Sequence, residues 1–172
     1  MHPGPAAEAI LPPPTPDGLE DCICFLLRAA ARRASAHYGR HLAPIGLGLP
    51  QHAAVGMAAA FEKRNGRPAT ITELARALDL DRTTLARNLK PMVAAGLVTV
   101  EPAGRGSGQP GRAKAVRATR EGRQAYRAGI ALWRRAQDEM RALLGRDYAG
   151  LVAGLAATIA GTAAVTTAVD PF

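Results

Sequence analysis

Apolar positions recur every three or four residues along most of this chain, and the breaks in that rhythm divide it into helices. The first run starts near Asp17, with Glu20 three residues on as a capping-box partner. It carries Ile23, Leu27, Ala30, Ala34, His37 and His41 along one stripe to about Leu42. Pro44 and the Gly46/Gly48 pair end it. A second helix is expected over roughly 50–64, with Pro50 in its first turn and Val55, Ala58, Ala59 and Glu62 on adjoining faces; Asn65-Gly66 then signals a turn. Thr70 and Glu73 form a capping box that opens a short helix with Ile71, Leu74, Ala75 and Leu78 on one side. The next helix lies within 81–98: Asp81 caps it, Leu85, Leu89 and Met92 fall at i, i+4 and i+7, and Gly96 stops it. Pro91 lies inside this helix and predicts a kink or a tightened last turn.

The rhythm then shortens to two. LVTVE (97–101) and AKAVRAT (113–119) read as strands on either side of a glycine-rich basic loop, GRGSGQPGR (104–112). Thr119 next caps a long helix that runs to about Leu144, with arginines on its wet face and Ile130, Trp133, Gln137 and Met140 along another; Gly145 ends it. Residues 149–169 carry no charge and contain Gly150-Leu-Val-Ala-Gly154, a spacing also used by membrane helices. Alanine, glycine and threonine dominate that stretch and insert poorly, so a packing helix is expected, with Leu151, Leu155, Ile159 and Thr162 facing a partner and no membrane involved. Residues 1–16 hold too many prolines for a helix or a central strand and read as a flexible leader.

The polar face of the 81–98 helix carries the candidate chemistry. Thr83, Thr84, Arg87 and Asn88 point away from the leucine stripe and offer a guanidinium fork for guanine, a carboxamide for adenine, and hydroxyl and methyl groups for phosphate or thymine. Arg82 and Lys90 flank them, with Lys90 nearer the phosphates than the bases. An amphipathic surface helix with a solvated polar face is the commoner meaning of such a pattern taken alone. Two short helices joined by a tight turn and followed by a basic hairpin describe a winged helix-turn-helix.

The run TELARALDLDRTTLARNL, followed by AAGLV, a basic wing and VRATREG, resembles the DNA-binding domain of the multiple-antibiotic-resistance regulator (MarR) family, with helical arms extending the likeness to about 17–168. The resemblance implies a mainly α fold with a small β-wing, in which residues 17–172 form one domain. Its winged helix-turn-helix spans 50–119, and its dimerisation helices, 17–45 and 120–168, clasp a second copy. It also implies a palindromic operator with half-sites about ten base pairs apart, and a wing arginine that enters the minor groove. Pro110-Gly111-Arg112 keeps that arginine but lacks the aspartate that orients it in the family, so Arg105 is expected to share the task, with Lys114 beside them.

Composition agrees on the partner. The formal charge is +8, and residues 81–123 hold nine of the basic and three of the acidic side chains, a local excess of +6. Such an excess attracts double-stranded DNA whatever its sequence, so a non-specific architectural DNA binder is the competing reading. Aromatic content of 4% disfavours a stacking platform for single strands. Two cysteines and the lack of a basic-then-apolar leader point to a cytoplasmic protein without a disulfide scaffold. No enzyme motif is present: the glycine-rich loop lacks the Gly-Lys-Ser/Thr ending of a phosphate cradle, and no cofactor is expected.

Regulation is expected on the first helix. Cys22 and Cys24 sit near its start, where unsatisfied backbone N–H groups favour a thiolate. Two residues apart on a helix they point away from each other, which disfavours a bond between them but leaves pairing across a dimer open. Cys24 and Tyr38 resemble the cysteine and one tyrosine of the family's organic-hydroperoxide-resistance regulators, whereas Arg28 and Leu49 stand where the other tyrosines are expected. The other option is a small phenolic or carboxylate effector held by Arg28, Arg32, His37 and His41. Those two histidines, with a cysteine or His52, supply too few spaced ligands for a metal site to be assigned.

Overall fold

A computed structural model describes residues 22–103 and 113–168. The expected leader, the Asp17/Glu20 cap and the wing tip with Arg105 and Arg112 lie outside the described residues. Helix α1 spans Ile23–Leu42, and a 3₁₀ turn at Ala43–Ile45 leads into α2, Leu49–Asn65. Cys22 is the N-cap of α1 with extended backbone, so the two cysteines do not both sit on a helix as expected. Strand β1 (Ala69–Thr70), α3 (Ile71–Ala77), α4 (Arg82–Ala94), β2 (Val98–Pro102) and β3 (Lys114–Ala118) form the central unit. Helix α5, Arg120–Leu144, and a 3₁₀ turn at Gly145–Asp147 lead to α6, Tyr148–Ala168.

The predicted caps are made. Thr70 Oγ1 accepts from Glu73 N at 3.2 Å and Glu73 Oε2 accepts from Thr70 N at 2.8 Å, which satisfies two orphan donors at the start of α3. Arg67 donates to both oxygens of Glu73, and this guanidinium contact, together with the Thr70 bonds, lowers the carboxyl to about 2 against the opposition of partial burial. The turn that closes α3 passes through Asp79, which holds a left-handed φ of 51°, and there Asp79 N and Leu80 N donate to the carbonyls of Arg76 and Ala75. Helix α4 continues through Pro91 to Ala94. Its end is a Schellman motif: Gly96 N donates to Val93 O at 3.0 Å and Leu97 N to Met92 O at 2.9 Å, with Gly96 at φ 68°.

Strand β1, missed in the sequence, is two residues long and pairs Ala69 with Val116 and Thr70 with Ala115. The antiparallel sheet runs β1-β3-β2, and the β2–β3 register from Val98↔Ala118 to Pro102↔Lys114 makes the wing. One core joins Ala54, Val55 and Ala58 of α2, Leu74 and Ala75 of α3, Leu85, Leu89 and Met92 of α4, and Val98, Val116 and Ala118 of the sheet. Each element contributes a single apolar face, so α4 is clamped between α2, α3 and the sheet.

The arms pack differently. His37, His41 and Tyr38 of α1 meet α5, where Tyr38 Oη donates to Gln137 Oε1 and Gln137 Nε2 donates to Tyr148 Oη, both at 2.6 Å. Burial and the neighbouring Tyr148 raise the Tyr38 phenol above its ordinary value. The stripe expected on α1 is only partly covered: Ile23 is 70% exposed and Ala30 is exposed. Leu151, Val152, Leu155 and Ile159 of α6 are exposed as well. Within the helical run Arg120–Thr162, a window of mean hydropathy 1.2 with no buried residue has the length and composition of a membrane span.

Candidate nucleic-acid interface

The candidate reading face is set by the cap and the core of α4. Asp81 accepts from Thr84 N at 2.8 Å, and the hydrogen bonds from Thr84 hold its carboxyl below the usual range. With the start fixed and Leu85, Leu89 and Met92 buried, the helix has one rotation available. That rotation leaves Arg82, Thr83, Arg87 and Lys90 exposed and Asn88 half-buried. Arg82, Arg87 and Lys90 make no ion pair with the described residues, so their cations face solvent. Thr84 departs from expectation: its hydroxyl donates to Asp81 Oδ2 and serves the cap rather than a base edge.

The local charge excess is smaller than the sequence count implied. Arg117 and Arg123 both bond the carboxylate of Glu62, Arg123 at 3.0 Å, and tie β3 and α5 to α2. Arg120 pairs with Glu121 at 3.2 Å. Glu62, from outside residues 81–123, offsets one charge and ties down two arginines as struts, which leaves Arg82, Arg87, Lys90 and the exposed Lys114 at the wing base as the described candidates for phosphate or base contact. Periodicity puts Glu62 on a helix face and says nothing of its partners; an acidic side chain among basic ones is the signal the sequence offers for it.

A joint links this unit to the arms. Thr119 Oγ1 donates to Gly96 O at 2.7 Å while accepting from Gly122 N at 2.9 Å, and Thr119 N donates to Leu97 O at 3.1 Å. The first turn of α5 therefore rests on the stop of α4. Close approach here needs a residue without Cβ, because any Cβ on Gly122 would overlap the Leu97 carbonyl.

The expected effector residues do not converge. Arg28 and Arg32 are exposed on α1, and His37 and His41 turn instead toward Glu139 of α5. Cys24 is exposed and Cys22 half-buried, both free thiols. A cavity of about 460 Å³ opens elsewhere, between α2 and α5, lined by Leu49, His52, Met57, Tyr126, Trp133 and Arg134 among others. His52 is buried, its ring stacked on Tyr126 at 4.7 Å and its Nε2 3.1 Å from Tyr126 O. The lining is mostly apolar with one cation, Arg134, at hand. Sequence periodicity placed Trp133 on the right face but gave no reason to join it to Leu49.

Residues 59–101 match the family model described as a helix-turn-helix domain. No curated protein sequence matches the chain. Among solved structures, the transcriptional regulator MosR of M. tuberculosis, determined in complex with DNA, is 33% identical over 80% of this chain and 98% of its own, with a TM-score of 0.62. A MarR-family transcriptional regulator from Rhodococcus sp. RHA1 aligns over 83% of this chain and 94% of its own at 20% identity and a TM-score of 0.64. The S. aureus MepR–DNA complex aligns over 82% and 97% at 14% identity and a TM-score of 0.67, a likeness of fold.

Proposed function

Because this chain belongs to the MarR family of winged helix-turn-helix, DNA-binding regulators of transcription, we propose that it acts as a homodimeric, sequence-specific repressor of a palindromic operator. The observation that supports the reading is the two-sided α4, with its leucine side locked in the core, Arg82, Thr83 and Arg87 exposed on the other and Asn88 half-buried at its edge. A helix held that rigidly presents its forks at a fixed angle, which base-edge readout needs and simple charge attraction does not. The dimer rests on the uncovered apolar positions of the arms, Ile23, Leu151, Leu155 and Ile159, which a second copy related by a twofold axis would bury. In this reading the protein works in the cytoplasm, on the DNA it binds.

Release from the operator follows either of two routes. In the first, a peroxide oxidises the exposed Cys24 thiol at the start of α1 to a sulfenic acid, the peroxide being reduced to water or an alcohol, and the new polar group displaces the arm. In the second, a small phenolic or carboxylate compound enters the α2–α5 cavity, with its ring against Tyr126 and Trp133 and its charge near Arg134. The first route acts on α1, which packs on α5 through Tyr38 and Gln137, and the second on α5 itself; α5 meets the end of α4 at the Thr119 joint.

Competition binding at physiological salt tests the main reading against an architectural DNA binder. Operator duplex should be bound on the order of a thousandfold or more tightly than random duplex, and Arg87→Ala should flatten that preference. Equal affinity for both duplexes would favour the architectural role.

A further inference from the structure

The arms hold a side-chain cluster that neither DNA contact nor the α2–α5 cavity uses. His37 and His41, one turn apart on α1, both direct Nε2 at Glu139 Oε2 of α5, at 3.6 and 2.9 Å. One ligand atom from each of the three lies within 4.8 Å of the others. Donors held about 2.0–2.2 Å from a tetrahedral ion stand roughly 3.3–3.6 Å from one another, so this cluster is close to the required size. The imidazoles are 19% and 18% exposed and the carboxylate 47%, which gives a covered floor with a mouth open to water. Arg135 lies 3.7 Å from the other carboxylate oxygen, Oε1, and holds that side of Glu139 while Oε2 faces the histidines.

We propose that His37, His41 and Glu139 bind a divalent ion of borderline softness, Zn²⁺ being the best fit, with water in the fourth position. Two neutral imidazole nitrogens and one carboxylate are a ligand set that this ion favours. Nε2 of His37 also lies 3.2 Å from Ala136 O and Nε2 of His41 contacts Glu139; each histidine presents Nε2 to the ion as a lone pair, so any proton there moves to Nδ1 or to solvent. A bound ion would join α1 to α5 through two residues of one helix and one of the other, and so stiffen the arm pair. The sequence showed only the two histidines; Glu139 stands 98 residues beyond His41 and arrives by folding.

The test is a titration of the chelator-treated full chain with Zn²⁺ by calorimetry and with Co²⁺ by visible absorption. One ion per chain is expected, with tetrahedral cobalt bands, and affinity at least tenfold weaker in both His41→Gln and Glu139→Gln. Melting of the parent should rise by roughly 5–10 °C at a Zn²⁺ concentration a hundredfold above Kd, and much less in the variants. A Cys22→Ser/Cys24→Ser protein should keep the site. Equal affinity in the parent, His41→Gln and Glu139→Gln proteins, a thiolate-to-cobalt charge-transfer band, or loss of binding in the cysteine variant would each overturn the assignment. If the variants fail to fold, the parent's cobalt spectrum decides: without tetrahedral bands the proposal is wrong.

Discussion

Gly122→Ala tests whether the joint between the reading unit and the arm has been understood. Gly122 is the third residue of α5, where alanine would by itself favour the helix by roughly 1 kcal/mol. Against that, its Cβ would stand 2.9 Å from the carbonyl carbon of Leu97 and nearer still to the oxygen, closer than side chains approach backbone. Backbone cannot rotate aside as a side-chain tip can. Either α5 lifts or Leu97 moves, and in both cases the bonds that Leu97 O accepts from Thr119 N and Thr119 Oγ1, each 3.1 Å, are stretched or lost. Overpacking costs about 1–3 kcal/mol and each lost bond about 1 kcal/mol, so the net destabilisation expected is about 2–4 kcal/mol. Thermal melts at one fixed protein concentration should show a fall of roughly 5–12 °C. Gly39→Ala is the control: nothing lies within 4 Å of its Cβ position on α1, and a gain of up to about 1 kcal/mol is expected. A Gly122→Ala protein within about 0.5 kcal/mol of the parent would refute the close approach and, with it, the rigid link from arm to reading helix.

Leu85 is fully buried beneath the reading face, so Leu85→Ala should cost about 2–5 kcal/mol in urea unfolding and weaken operator binding through the fold rather than through contacts. Glu73 titrates at about 2 when folded and near 4.5 when unfolded, so its contribution to stability is complete above the higher value and is lost as pH falls through the lower. Glu73→Gln should therefore flatten the stability profile between those two values and lower the neutral-pH melting point by roughly 2–4 °C; an unchanged acid slope would show that the Arg67 pair is not maintained. Exchange of Cys24 for serine should leave operator binding intact after peroxide treatment, and a Cys24→Ser protein that still dissociates would remove thiol oxidation as the trigger.

Local chemistry was legible in the residues themselves. The caps at Thr70, Asp81 and Thr119, the stops at Gly96 and Gly145, and the burial of Leu85, Leu89 and Met92 all depend on groups within a few positions of one another, which periodicity and capping rules register directly. The outward face of α4 followed from the same stripe, since a helix with one side buried has its other side decided. What only the tertiary structure decided were meetings between distant segments. Two-residue β1 is too short for a pattern and exists because Ala69 and Thr70 find the edge of β3. Glu62 draws in Arg117 and Arg123 and offsets one of their two charges. His37 and His41, expected in an effector pocket with Arg28 and Arg32, turn to Glu139, while the cavity forms around Trp133 and Tyr126. Hydrogen bonds and ion pairs of this kind depend on the relative placement of whole helices, and that placement is set by the shared core rather than by any one stretch of chain.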